Sequence, residues 1–135
     1  MDKSKSRFKV FVFKDREYKI EFPTVGQYID IETEKIELSS GKWSDLVISR
    51  TVSAYRAIQL VECIAVLKIL CPKLFEDMKV SDYKDIDAID FTLLLKLFTK
   101  EINPWYSSWF KEFNDVLKDI SESEQEIKEE IDSSK

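Results

Sequence analysis

Histidine is absent from these 135 residues, glycine and proline are scarce at two and three, and cysteine occurs only at positions 63 and 71. Without imidazole there is no Ser-His-Asp or Cys-His catalytic unit and no histidine ligand for zinc or iron. So little glycine and proline excludes collagen and a turn-rich all-β sandwich. If one helix carries both cysteines, eight residues of rise separate them by roughly 12 Å. That exceeds the reach of a disulfide, so both read as free thiols and point to a reducing compartment. Long apolar runs are missing too: Ile58 to Leu70 is interrupted by Gln59, Glu62 and Lys68, which falls short of a membrane span. The first residues are charged and run into an alternating stretch, unlike a signal peptide.

What is present is a 44% hydrophobic content with three Trp, five Tyr and nine Phe, beside 35% charged residues and a net charge of -5. That is too apolar for a disordered chain and suits one helix-rich domain of common size. Charge is uneven along the chain. Residues 1–19 hold seven Lys/Arg against three Asp/Glu, a surplus of +4, whereas residues 121–135 hold six acids against two lysines, a deficit of -4. The basic start, with Lys3, Lys5, Arg7 and Lys9, carries no nucleic-acid motif in an acidic domain, so a solubilising or strand-edge role is expected rather than nucleic-acid binding.

The fold class expected is α+β and mostly α, an N-terminal β-hairpin followed by four to five helices packed as a compact bundle. Residues 1–7 form a basic flexible start, 8–120 a single globular domain and 121–135 an acidic tail, partly helical or disordered. Period-two alternation through Phe8, Val10 and Val12, then Tyr18, Ile20 and Phe22, gives a hairpin over 8–22 with a turn at Lys14-Asp15-Arg16-Glu17. Phe11 and Phe13 point to the face opposite Val10 and Val12, so both faces are apolar. Thr24 and Gln27 form a capping box that opens a helix over about 25–40, with Gly41 as its left-handed end. On it Val25/Ile29/Ile36 and Tyr28/Ile31/Leu38 form two stripes, and Asp30, Glu32, Glu34 and Glu37 are expected to face water. Residues 42–51 are undecided between loop and short helix. Helices follow over 53–70 with Ser53 as cap, 73–78 after Pro72 at its first position, 91–101 with Asp90 as cap, and 105–120 after a break at Asn103-Pro104.

Few constellations carry chemistry. Asp82, Asp85, Asp87 and Asp90 lack the alternation, glycine and closing glutamate of a calcium loop, and caps explain them better than a metal. Glu62, within an apolar helix, has no nucleophile or second acid placed to work with it and reads as snorkelled or paired. There is no phosphate loop and no nucleotide fingerprint. No catalytic, cofactor or metal residue is therefore assigned, and no cofactor is expected. The most informative pattern is a 4-3 spacing through Tyr106, Phe110, Phe113, Leu117, Ile120, Glu124, Ile127 and Ile131, a seam able to dock on another helix or, in its first half, to pack as core. The aromatic cluster Trp105, Tyr106, Trp109, Phe110 and Phe113 suits a core or the centre of an interface. The candidate partner-binding residues are accordingly Phe11, Phe13, Trp105, Trp109, Phe113, Leu117, Ile120, Ile127 and Ile131.

Three segments, Phe-Pro-Thr-Val-Gly-Gln-Tyr-Ile-Asp-Ile-Glu at 22–32, Ile-Leu-Cys-Pro-Lys-Leu at 69–74 and Ile-Asn-Pro-Trp-Tyr-Ser-Ser-Trp at 102–109, resemble small proteins of the structural and tail-assembly region of tailed bacteriophages, crAss-like phages included. The plan of a short hairpin followed by helices is similar to that of phage tail assembly chaperones. The resemblance spans residues 8–115 and consists of caps, breaks and packing elements, so it carries over no functional residue. It implies a non-enzymatic protein-binding role in particle assembly, with a phage structural or tape-measure protein as partner and the host bacterial cytoplasm or the virion as location. A permanent virion adaptor or cargo protein, and an adaptor that binds a host protein, are the alternatives. No small-molecule substrate, nucleic acid or membrane is expected as a partner.

Overall fold

The computed structural model describes residues 6–133, apart from the side chains of Trp109, Phe110, Glu112 and residues 124–133. The fold is α+β and about 70% helical. An antiparallel hairpin comes first, β1 over Phe8–Phe13 and β2 over Arg16–Glu21. Six helices follow: α1 at Val25–Leu38, α2 at Trp43–Ile48, α3 at Val52–Leu70, α4 at Pro72–Asp77, α5 at Ala88–Leu97 and α6 at Asn103–Ser133. Between α4 and α5 lies a 3-10 turn at Tyr83–Asp85, and between α5 and α6 a π turn at Phe98–Ile102.

The hairpin turn is two residues long, not four, because Phe13 pairs with Arg16. Lys14 and Asp15 adopt φ of 50° and 65°, the double left-handed conformation whose twist matches that of the flanking strands. Arg16 and Glu17 thus belong to β2 despite their charge. The inner face sets Phe11, Phe13, Tyr18 and Ile20 into the core, with the rings of Phe11 and Tyr18 stacked at 5.4 Å. Phe8, Val10 and Val12 stay on the outer face, where the Lys19 ammonium sits 4.3 Å from the Phe8 ring centre. The hairpin tip is tied to the helices: Lys14 pairs with Asp90 at 2.8 Å, and Asp77 accepts from the Tyr18 hydroxyl at 2.8 Å and pairs with Arg16 at 3.1 Å.

The capping box at Thr24 forms as the sequence indicates, the Thr24 hydroxyl accepting from the Gln27 amide at 3.1 Å and the Gln27 side chain from the Thr24 amide at 2.9 Å. At the other end of α1 the amide of Gly41 donates to Ile36 O at 2.8 Å and that of Ser40 to Glu37 O at 3.0 Å. In this Schellman closure the first left-handed residue is Ser40, φ 57°, with Gly41 one step beyond. Lys79, φ 59°, closes α4 in the same way, Val80 donating to Phe75 O.

Residues 42–51 contain the short helix α2. The cap of α3 is Thr51, not Ser53: its hydroxyl accepts from the Ala54 amide three residues on at 3.1 Å, which starts the helix at Val52. Asp87, not Asp90, caps α5, accepting from the amides of Ile89 and Asp90, while Asp82 caps the 3-10 turn. Asn103-Pro104 is not a break. Proline lacks the amide that would close an α turn, and the wider π turn just before it lets the chain pass into α6 without interruption.

At the centre α3 packs against α1, α2 and α4, burying Ala54, Cys63, Ala65, Val66 and Leu67. Ile31, Leu74, Phe75, Leu94, Phe98, Ile102, Trp105 and Tyr106 complete one core with the inner face of the hairpin. One expectation for α1 fails in an instructive way. Glu34 does not face water but is only 9% exposed, because it lies on the stripe of Ile31 and Leu38, and it meets Lys68 of α3 at 2.6 Å. The stripe left outside is Val25, Ile29 and Ile36.

Candidate partner-binding surface

The candidate surface is the far half of α6, and its geometry begins with how the near half is held. Trp105 donates its indole N–H to the Ser6 carbonyl at 2.7 Å and stacks on Phe22 with ring centres 4.5 Å apart. Tyr106 is buried beside it, and one and two turns earlier Ile102 and Phe98 are buried as well. Two turns further on, Phe113 meets Tyr28 of α1 edge to face at 5.1 Å.

Beyond that contact the helix continues, and over Asn114–Ser123 the packing stops. Every side chain from Asn114 to Ser123 is exposed, although Val116, Leu117 and Ile120 repeat at helical spacing along the line set by Phe113. Their exposures of 56%, 43% and 51% are high for branched aliphatic groups sharing one face. Helical backbone runs on to Ser133, so residues 114–133 extend over about 30 Å at 1.5 Å per residue. Over that length the sequence carries eight acids and two lysines.

The candidate residues separate into three groups. Phe11, Phe13 and Trp105 are corrected to core, since each is buried and Trp105 is also hydrogen-bonded inside the domain. Phe113, Leu117 and Ile120 do lie together, Phe113 at the edge of the body and the other two in the open. Trp109, Ile127 and Ile131 lie outside the described side chains. Val116 joins the surface without having been singled out; its place three residues after Phe113 and four before Ile120 was the available signal.

A polar cavity of about 190 Å³ lies among α1, α3 and the π turn to α6, lined in part by Lys35, Glu62, Asn103, Tyr106 and Ser107. Burial pushes the Glu62 carboxyl above its usual range, against the pull of Lys35 and with a push from Glu32. Lys35 pairs with Glu32 at 3.0 Å and lies over the Trp43 ring. Burial likewise raises the Tyr106 and Tyr28 hydroxyls, with Glu32 adding to both. Cys63 and Cys71 are free and buried, and burial pushes the Cys63 thiol up to about 12. Among the described residues no group of His, Cys, Asp and Glu is gathered to hold a metal, and no helix is long and apolar enough to cross a membrane. Set against known proteins, the chain matches no family model, no curated protein and no solved structure.

Proposed function

We propose that this is a non-enzymatic binding protein whose working surface is the open face of α6, acting in phage particle assembly in the manner of a tail assembly chaperone. The binding part of this reading is supported by one observation above all: a helix anchored by Trp105, Tyr106 and Phe113 carries its aliphatic stripe onward into solvent at Val116, Leu117 and Ile120. An isolated helix of this length is marginal in water and leaving such a stripe open is unfavourable, so a partner that covers it would stabilise both. The phage setting comes from the resemblance of segments 22–32, 69–74 and 102–109.

The test is co-expression with the tape-measure protein of the same assembly region. The wild-type chain keeps that long helical protein soluble, and the L117D/I120D variant, folded to the same melting temperature, does not. Equal solubility with both would overturn the surface assignment. Mass spectrometry of purified particles separates the two assembly roles: a chaperone is present in lysate and absent from particles, whereas a virion adaptor is present in particles at fixed copy number.

A further inference from the structure

The geometry points to a basic amphipathic helix as the occupant of the open α6 face: a partner segment with its own aliphatic stripe, flanked by Lys or Arg. This inference rests on the partner-binding reading and adds to it the chemical class of the partner.

Charge complementarity selects that class. Over residues 114–133 the eight acids, Asp115, Asp119 and Glu122 among the exposed ones, outnumber Lys118 and Lys128. The seam itself is bordered by the uncharged Ser121 and Ser123. At about 100° per residue Asp115, Asp119 and Glu122 lie on the side of the helix away from Phe113, Leu117 and Ile120, so the acids attract a basic helix as a net negative field rather than as pairs across the seam. A second copy of this chain fits poorly. Two such helices, each with eight acids against two lysines over residues 114–133, repel along their length. An anionic lipid surface fits no better, since helices that lie on membranes carry Lys and Arg on the polar face.

The experiment uses the full chain and fluorescein-labelled synthetic helices of about 20 residues that share one Leu/Ile seam and differ only in having Lys, Gln or Glu on the flanks. Anisotropy titrations are run at about 50 mM and about 300 mM salt. The Lys-flanked helix binds about tenfold tighter than the Gln-flanked one at low salt, and the Glu-flanked one does not bind. The Lys advantage shrinks at high salt. L117S/I120S, which leaves the charge unchanged, weakens the Lys-flanked helix by about tenfold.

Each other result overturns the inference in its own way. Equal binding of the Lys and Gln helices leaves the docking face standing without a basic partner. Lys-helix binding that survives L117S/I120S reduces the effect to charge attraction. No binding by any helix removes the partner reading along with the inference. A dimer in sedimentation that L117S/I120S dissolves makes the occupant a second copy. Stripe-dependent binding to phosphatidylcholine/phosphatidylglycerol vesicles makes it a lipid surface.

Discussion

Tyr28 and Phe113 meet edge to face with ring centres 5.1 Å apart, and this contact marks where α6 leaves the body of the protein. On one side of it lie the buried Ile102, Trp105 and Tyr106; on the other, every side chain from Asn114 to Ser123 is exposed. The helix therefore has a structural half and an open half, and the two respond differently to change.

Removal of residues 121–135 is expected to leave the body intact. The exposed side chains just before the cut pack on nothing in the core, so the melting temperature followed by circular dichroism shifts by less than about 2 °C. Binding to a partner held by the open half weakens. A fall of many degrees would show that the distal segment is structural.

Trp105 behaves oppositely. Trp105→Ala loses a ring stacked on Phe22 and leaves the Ser6 carbonyl without its indole donor, a cost of about 3–5 kcal/mol measured by chemical denaturation. Trp105→Phe retains most of the packing and costs about 1–2 kcal/mol. A neutral Trp105→Ala would remove Trp105 from the core and return it to the candidates for binding.

The hairpin, the capping box at Thr24 and the proline start of α4 were legible, because each depends on residues a few positions apart. Trp105, Phe11 and Phe13 show where local reading stops: period and aromatic density mark a side chain as apolar, but only tertiary packing, such as that of the hairpin on α4, α5 and the π turn, decides whether it is covered. The caps Thr51 and Asp87 were each displaced by two or three residues because a second polar group stood nearby, and the choice follows from which oxygen reaches the third amide. The π turn before Pro104 had no sequence signal, since proline more often ends a helix than follows a widened turn.

The pair Glu34–Lys68 tests the correction on α1. Both groups give up hydration and meet at 2.6 Å; burial opposes the Lys68 charge, but Glu34 and Tyr83 outweigh it and its pKa lies above the usual value. Glu34→Ala leaves Lys68 without its carboxylate and costs about 1–3 kcal/mol in urea unfolding. The double variant E34M/K68M recovers most of that loss, because an apolar pair of similar volume needs no compensation. A single variant within a few tenths of a kcal/mol of wild type would mean the pair is solvated.

Glu62 gives a pH dependence with a definite sign. Its folded pKa is raised by burial, so the native state favours the protonated carboxyl. That contribution is fully present below the ordinary value of 4.5 and is lost as pH rises through the higher folded value. Glu62→Gln therefore raises the melting temperature at pH 7 by about 2 °C and leaves it nearly unchanged below the ordinary carboxylate range. A variant less stable than wild type at neutral pH would show that Lys35 holds the carboxylate more strongly than burial opposes it.

Ser40 and Lys79 adopt left-handed backbone that glycine takes without a Cβ penalty. Ser40→Gly and Lys79→Gly are each expected to stabilise by about 1 kcal/mol, read from equilibrium unfolding. Loss of stability in either would mean that the side chain contributes more than its backbone strain costs.

The most direct measurement is amide hydrogen exchange on the full chain, free and saturated with the Lys-flanked helix. The account predicts fast exchange over 114–133 in the free protein and protection gained there on binding, with the hairpin unchanged. Protection confined to the outer face at Phe8, Val10 and Val12, or a distal α6 already as protected as α3 in the free chain, would contradict it.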